Sequence, residues 1–523
     1  MIRTIIKREF LDNILSFKFI ACVLVALVII SICTAVQSED YRGRLKNYDE
    51  GMASAREKLT DVPTYSCLTV EVYKRPSPLS IFVSGIERKA GSHVTITHMD
   101  IPASLKGEAV RNELADIVSQ FDFSSVIVVV FTILAILLSY NAITGEKDDG
   151  ILSLVLSNSV PRYRLLLGKY LGGLISLAVP LALCFILGIF IVYFFKGADV
   201  NGKFLFTMAW YYFLALLYLS CILLIGIFVS ARTKSPFSSL IVLLGFYIIF
   251  TFLVPLGVRS YADREILRKA TFLENNVYSF VDEKIKNSEA LNEENRLNPP
   301  SWILFDYSYQ GYVLSRINPK RLVDYYKKIT SLYQELNEDY AEKIYEFKRK
   351  DQQTEEQIRH VQNLILAFIP PPSFERISEL TADTGEDSLN RFLHNTARYW
   401  DQYVGYLSEK DAFGLKYFFP GPEKLTPYEE DLVRKISDDR AGLITVGSHV
   451  DYRGKYLEEA MNYKPRIPFL NLDDMPRFID SGQTLVQKIR DSFFNIVVLV
   501  LYNLGFFVLA HFSFNAYDPR QGV

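Results

Sequence analysis

The sequence predicts an all-α membrane protein, a six-helix transmembrane bundle carrying a large, mainly α-helical (α+β) extracytoplasmic domain with a helical stalk and a small antiparallel sheet. Three observations predict it. Six stretches, 19–36, 123–143, 171–195, 204–229, 237–258 and 493–514, stay apolar over about the 20 residues that a hydrocarbon core demands of a helix. Charged residues nevertheless make up 22% of the 523 residues, so they are crowded into the segments between these runs. Two of those segments, 37–122 and 259–492, together exceed half the chain, which is too much for mere connection.

The chain opens with an interfacial elbow helix over 1–18. Ile2, Ile5, Ile6, Phe10, Ile14 and Phe17 share a face at helical spacing, and Arg3, Lys7, Arg8 and Lys18 supply its charge. The apolar run at 19–36 outlasts the core of a signal peptide, so it is expected to remain as the first span. Segment 37–122 begins with a helical pattern from Tyr41 to Leu59. It passes through β-branched runs at 66–73, 79–86 and 93–97, punctuated by Pro63, Pro76, Pro78, Gly85 and Gly91, and returns through a helix near 104–121. A helix, a small sheet and a helix are expected there.

After the second span at 123–143 comes a short polar element, 144–170, and then the third, fourth and fifth spans at 171–195, 204–229 and 237–258. Segment 259–492 opens with a helical stripe that continues the fifth span, because no proline or glycine falls between Gly257 and Pro299. A second stripe runs from Leu322 to Phe368 and would reach roughly 70 Å as one helix at about 1.5 Å per residue. The two are expected to pack antiparallel as a stalk. Their link carries Trp302, Phe305, Tyr307, Tyr309 and Tyr312, aromatics that suit either a partner contact or packing on the domain's own core. The last span, 493–514, leads into a tail at 515–523.

Charge sets the expected orientation. With both termini in the cytosol, the short inner segments carry Arg3, Lys7, Arg8, Lys18, Lys147, Arg162, Arg164, Lys169, Arg232, Lys234 and Arg520, against Lys196 and Lys203 in the short outer loop 196–203. A net charge of −2 excludes a nucleic-acid-binding protein, which needs a clustered positive excess. The span interiors lack Asp, Glu, Lys and Arg, which argues against proton or ion coupling and for an outside energy source. Four of the five cysteines lie within spans, leaving Cys67 alone, so no disulfide framework is expected in the polar segments. His93 and His98 have no ligand partners at metal spacing. No metal site is expected.

The densest signal follows the second span. It reads Ser139-Tyr140-Asn141-Ala142-Ile143-Thr144-Gly145-Glu146-Lys147-Asp148-Asp149-Gly150-Ile151-Leu152, then Pro161-Arg162 and Gly168-Lys169. This block resembles the corresponding stretch of ABC type-2 transporter permeases, in particular the large-looped branch related to copper-enzyme maturation permeases. The closing Phe514-x-x-Tyr517-Asp518-x-Arg520 is similar to the same branch, although Pro519 stands where an aliphatic residue is expected. The likeness reaches from the first helix to the C-terminus, with specific motifs only in 139–169 and the tail.

The resemblance implies the permease subunit of an ABC exporter in the cell (inner) membrane, with the large domain extracytoplasmic or periplasmic. Implied partners are two copies of a cytosolic ABC ATPase, a second permease copy (a homodimer, or a paralogous permease), the lipid bilayer and an envelope protein. ATP and Mg2+ would be bound by the ATPase, because this chain has no Gly-x-x-x-x-Gly-Lys-Ser/Thr and binds no cofactor of its own. The chain is therefore expected not to be an enzyme. The ATPase-coupling residues would be Glu146, Lys147, Asp148, Asp149, Arg162, Arg164, Lys169, Arg232 and Lys234, with the elbow residues Arg3, Lys7 and Arg8. Solvated loop ends are the plainer reading of these charges, but the positive-inside rule accounts for the basic residues and not for three clustered acids. Transport and mechanical work on an envelope partner remain alternatives, and a rival of another class is a non-transporting membrane receptor or scaffold. The substrate is not legible.

Overall fold

The computed structural model describes residues 2–60, 64–97, 122–150, 161–269, 353–410, 427–446, 449–452, 469–480 and 482–516, with isolated positions between them. Among the described residues six helices are long and apolar enough to cross a membrane, and the molecule is a multi-pass membrane protein. Helix α1, Ile2–Ile14, precedes α2, Phe17–Lys58, which Ser16 caps by accepting from the Phe19 amide. The first span and the helix expected beyond it are thus one uninterrupted element of 42 residues. Strands β1, Val70–Tyr73, and β2, His93–Ile96, pair antiparallel, with Val70 opposite Ile96.

The middle run at 79–86 is not a strand. Pro78 starts a 3₁₀ turn over Pro78–Ile81, and Gly85 takes a left-handed φ of 51° against the Thr384 backbone, where a Cβ would come within 2.3 Å of the carbonyl oxygen. This conformation buries Ile81, Phe82 and Val83 at one end of the bundle. There the Phe82 ring meets Phe123 at 5.5 Å, and the Phe82 carbonyl accepts from the Phe123 amide.

Helix α3 covers 123–139 with a π-helical turn at Ile127–Phe131, and the short α4, Thr144–Asp148, follows it. Then come α5, Arg162–Phe194, α6, Gly202–Arg232, and α7, Pro236–Lys269, the last with its own π turn at Ile249–Leu253. The π turn of α3 leaves its backbone short of regular bonding. Thr132 Oγ1 sits 3.5 Å from the Ile127 carbonyl oxygen and 2.7 Å from the Tyr218 hydroxyl, which ties α3 to α6 inside an apolar core.

Helix α8 covers 353–367, α9 is Pro370–Ala382, and α10 is Glu386–Glu409. Helix α11, Pro427–Asp438, precedes a second hairpin of β3, Leu443–Val446, and β4, His449–Tyr452. Helix α12, Leu485–Asn515, opens on a capping box between Thr484 and Gln487. A second core, separate from that of the bundle, gathers β1, β2 and α10, with Tyr403 fully buried and its hydroxyl donating to the Leu68 carbonyl.

The fifth span does run on, as helix, to Lys269. Asp263 pairs with Arg359 of α8 at 3.7 Å and Arg259 pairs with Glu375 of α9 at 3.1 Å, so the extension of the fifth span rests on both of these helices. The rest of the expected stalk and the aromatics Trp302, Phe305, Tyr307, Tyr309 and Tyr312 lie outside the described residues, as do His98 and the tail from Tyr517.

Helix α9 is a wedge driven into the bundle. Ile369 precedes it as an extended cap, prolines 370–372 suit a first turn that has no use for their missing N–H groups, and all three are buried. Tyr502 of α12 donates to the Phe368 carbonyl at 2.6 Å, Asn495 donates to Ser373, and Lys488 donates to the Thr381 carbonyl. The wedge therefore runs along α12 toward its N-terminal end. Phe374, fully buried, stacks on Tyr218 at 4.8 Å and on Tyr211 at 6.1 Å near the middle of α6.

Candidate functional site

The polar element between α3 and α5 is held by side chains from three helices. At the start of α4, the amides of Ile143 and Thr144 both donate to Ser230 Oγ at 3.1 Å. One turn on, Lys147 Nζ donates to the Ala231 carbonyl at 2.6 Å and to that of Thr233 at 3.3 Å. Lysine there satisfies carbonyls that the end of α6 leaves without intrahelical donors and places positive charge at the negative end of its dipole. Arg162 does the same for α12, donating to the Phe514 and Asn515 carbonyls at 2.9 and 2.8 Å.

Lys169 forms the centre. Its ammonium, on a side chain only 4% exposed, lies 2.7 Å from Glu9 Oε1 and 2.8 Å from Glu146 Oε1. One cation thus joins α1, α4 and α5. Two carboxylates around a single ammonium offset the cost of burying it, and deleting the cation would leave both acids facing each other in a poorly solvated site. Glu146 Oε2 is buried with no hydrogen-bond partner among the described residues, so the cluster is already rich in acceptors.

Small residues permit this approach. A Cβ on Gly168 would come 2.7 Å from Ile5 Cγ2, and one on Gly172 would come 2.7 Å from Glu9 Cβ. Ser176, the next residue at that spacing, accepts from Asn13 Nδ2 at 3.2 Å. Gly168, Gly172 and Ser176 form a groove along α5 in which the elbow helix lies, the packing that small residues at four-residue spacing allow. The same block of sequence thus supplies a steric and an electrostatic contact with α1.

The sequence-predicted residues divide into two sets. Glu146, Lys147, Arg162 and Lys169 spend their charge inside the chain, as just described. Asp148, Asp149, Arg164, Arg232, Lys234, Arg3, Lys7 and Arg8 are exposed at the same end of the bundle. Arg164 rests on Tyr163, and Arg8 pairs with Asp12 at 3.6 Å. Sequence reasoning missed Glu9, although an acid four residues after Ile5, on the apolar stripe, was a sign of a buried partner.

It also missed the wedge. The signal was the apolar run from Leu364 to Phe374, too short to span and placed within a polar segment, the length expected of a re-entrant element. On the half-buried side of the wedge, burial pushes the Glu375 carboxyl up even though Arg259 pairs with it. Burial first, and then the neighbouring Glu375 charge, push Glu379 up to about 7.

Comparison with known families matches residues 3–307 to the family described as ABC-2 family transporter protein. No curated protein matches the chain. The matched stretch contains the whole junction around Lys169 and the first five membrane helices.

Proposed function

The chain belongs to the ABC-2 transporter family, and from that premise we propose that it is the permease subunit through which a separate cytosolic ATPase drives export or mechanical work, with Lys169 at the point of transmission. The observation that carries this reading is the joining of α1, α4 and α5 by the Lys169–Glu9–Glu146 cluster. A push on the exposed acids Asp148 and Asp149 or on the basic face of α1 would reach α5 through that ion pair, and α6 through Lys147. The exposed set would meet the ATPase, and the internal set would make the element rigid enough to pass force.

In this reading both termini and the 144–170 element face the cytosol, the distribution of short-loop Lys and Arg being the support. Two permease copies and two ATPase chains would form the unit, with ATP and Mg2+ bound by the ATPase. The similarity of 139–152 to copper-enzyme maturation permeases suggests that branch. Mechanical output is favoured by two helices, Phe17–Lys58 and Pro236–Lys269, that pass from the bundle into the outer domain without interruption. Helices of that kind convey tilt over their length, whereas a hinge would dissipate it.

Two measurements test the proposal. Single cysteines replacing Asp149 and Ser92, in a chain lacking the five native ones, should label oppositely with an impermeant maleimide on intact cells. Labelling of both from outside contradicts the orientation. Co-purification with an ATPase whose ATP turnover depends on the permease supports the coupling role, and a permease that purifies without any ATPase under mild extraction favours the receptor or scaffold reading.

A further inference from the structure

A second concentration of charge lies at the opposite end of the bundle, where the outer domain sits on the membrane helices. There α2, the turn at 74–79, the α5–α6 loop, the α9–α10 corner and the start of α12 enclose an open cavity of about 590 Å³. Lys74, Arg75, Lys196, Lys203, Arg391 and Lys488 line it. Against these six cations the described lining sets three carboxylates, Asp199, Asp383 and Asp480.

Those carboxylates leave cationic capacity over. Asp383 pairs with Arg391, and Lys74 pairs with Glu87 at 3.6 Å. Lys488 donates to the Thr381 carbonyl, a neutral acceptor. Arg75, Lys196 and Lys203 make no ion pair with any described residue and are exposed toward solvent. Burial pushes the Asp383 carboxyl up, but Arg391, Lys488 and Lys74 outweigh it and hold the group below the usual carboxylate range, which shows how positive the corner is.

Four helix ends also meet at the cavity. Asn201 and Gln483 line the cavity just ahead of α6 and α12, whose positive ends face it beside the negative ends of α5 at Lys196 and of α9 at Asp383, so the excess of positive charge comes from the side chains. One wall is apolar, built from Tyr41, Leu45, Leu79, Phe204 and Leu485. A cationic bowl beside an apolar wall, at the point where two helices leave the bundle, fits an amphiphile with a negative head.

We propose that this cavity binds the phosphate of an anionic amphiphile, the headgroup lying among Lys196, Lys203 and Lys488 and the apolar part against Phe204 and Leu79. The site opens at the level of lipid headgroups if the bundle is oriented as proposed above, but phosphate binding itself does not depend on that orientation or on an ATPase. Lys196 and Lys203 belong to the one short loop at this end, and their charge is what the positive-inside tendency would remove.

The test uses the full chain in neutral detergent, with fluorescent short-chain phosphatidylglycerol as the anionic probe and the matching phosphatidylcholine as the zwitterionic one. Phosphatidylglycerol should bind at least tenfold more tightly, and the exposed double variant Lys196→Glu/Lys203→Glu should lose that preference while eluting as the parent does. Lys488→Gln alone should weaken the anionic probe several-fold. Displacement of the probe by millimolar inorganic phosphate would identify free phosphate as a sufficient ligand, and resistance to it would identify the lipid headgroup with its apolar tail. Equal affinity for the two probes, or a double variant within twofold of the parent for phosphatidylglycerol, overturns the proposal.

Discussion

Lys169 Nζ lies 2.7 Å from Glu9 Oε1, so a helix lying outside the bundle is bound to a membrane helix by a buried charge rather than by apolar packing alone. The pairing is directional and costly to break, because the ammonium also serves Glu146 at 2.8 Å. An elbow helix held only by its isoleucines could slide along α5. Held at Lys169, and seated over Gly168 and Gly172, it moves with α5.

Lys169→Met should destabilise the chain by about 3 kcal/mol, since removing one partner strands two partly buried carboxylates. Adding Glu9→Gln and Glu146→Gln to that variant should recover most of the loss, the mark of a charge penalty rather than a packing defect. Thermal unfolding in detergent checks both. A triple variant no more stable than Lys169→Met would show that the charges do not act on one another.

Gly172→Leu should detach α1 while leaving the bundle folded, because even a Cβ there meets Glu9 at 2.7 Å. Gly202→Ala is the matched control, as nothing lies within 4 Å of its Cβ position. Limited proteolysis after Arg3, Lys7 and Arg8 reads the outcome: faster cleavage in Gly172→Leu, unchanged cleavage in the control.

The wedge should respond to pH. Glu379, pushed up to about 7, binds its proton more tightly in the folded chain than at the ordinary carboxyl value near 4.5. Its charging therefore opposes folding: the penalty is absent below about 4.5, grows as pH rises through the interval to about 7, and is complete above it. Glu379→Gln should stabilise the chain at pH 8 and change little at pH 4.5, and the melting temperature followed against pH reports the difference.

Phe374→Ala should cost about 3 kcal/mol or more, the usual loss for a fully buried phenyl group, by removing the stack on Tyr218 and Tyr211. The wedge is then expected to leave the bundle, measurable as new reactivity of a cysteine placed at Ser373. Unchanged reactivity would show that the buried prolines and the hydrogen bonds from α12 hold α9 without the stack.

Much of the architecture was legible because membrane spans are written in unbroken apolar length, which needs no knowledge of neighbours. The junction was half legible. Glu146, Lys147, Arg162 and Lys169 stood out by spacing, but whether a charge faces outward or inward depends on partners distant in sequence, such as Glu9 and the carbonyls of Phe514 and Asn515. The run at 79–86 misled for a related reason: its β-branched and aromatic residues suit a strand, yet Pro78 and the left-handed Gly85 turn it into a plug on the bundle. The wedge escaped notice because an apolar stretch shorter than a span looks like any buried helix until α12 and α6 are set around it.

The central claim is that the exposed face of the Lys169 junction is where the ATPase docks. Photocrosslinking measures this most directly: a benzophenone side chain at Asp148, and another at Ser92 as the control, in cells carrying the intact transporter. The account predicts a covalent adduct with the ATPase chain from position 148 and none from position 92. An ATPase adduct from position 92, or none from position 148 when the two subunits co-purify, would contradict it.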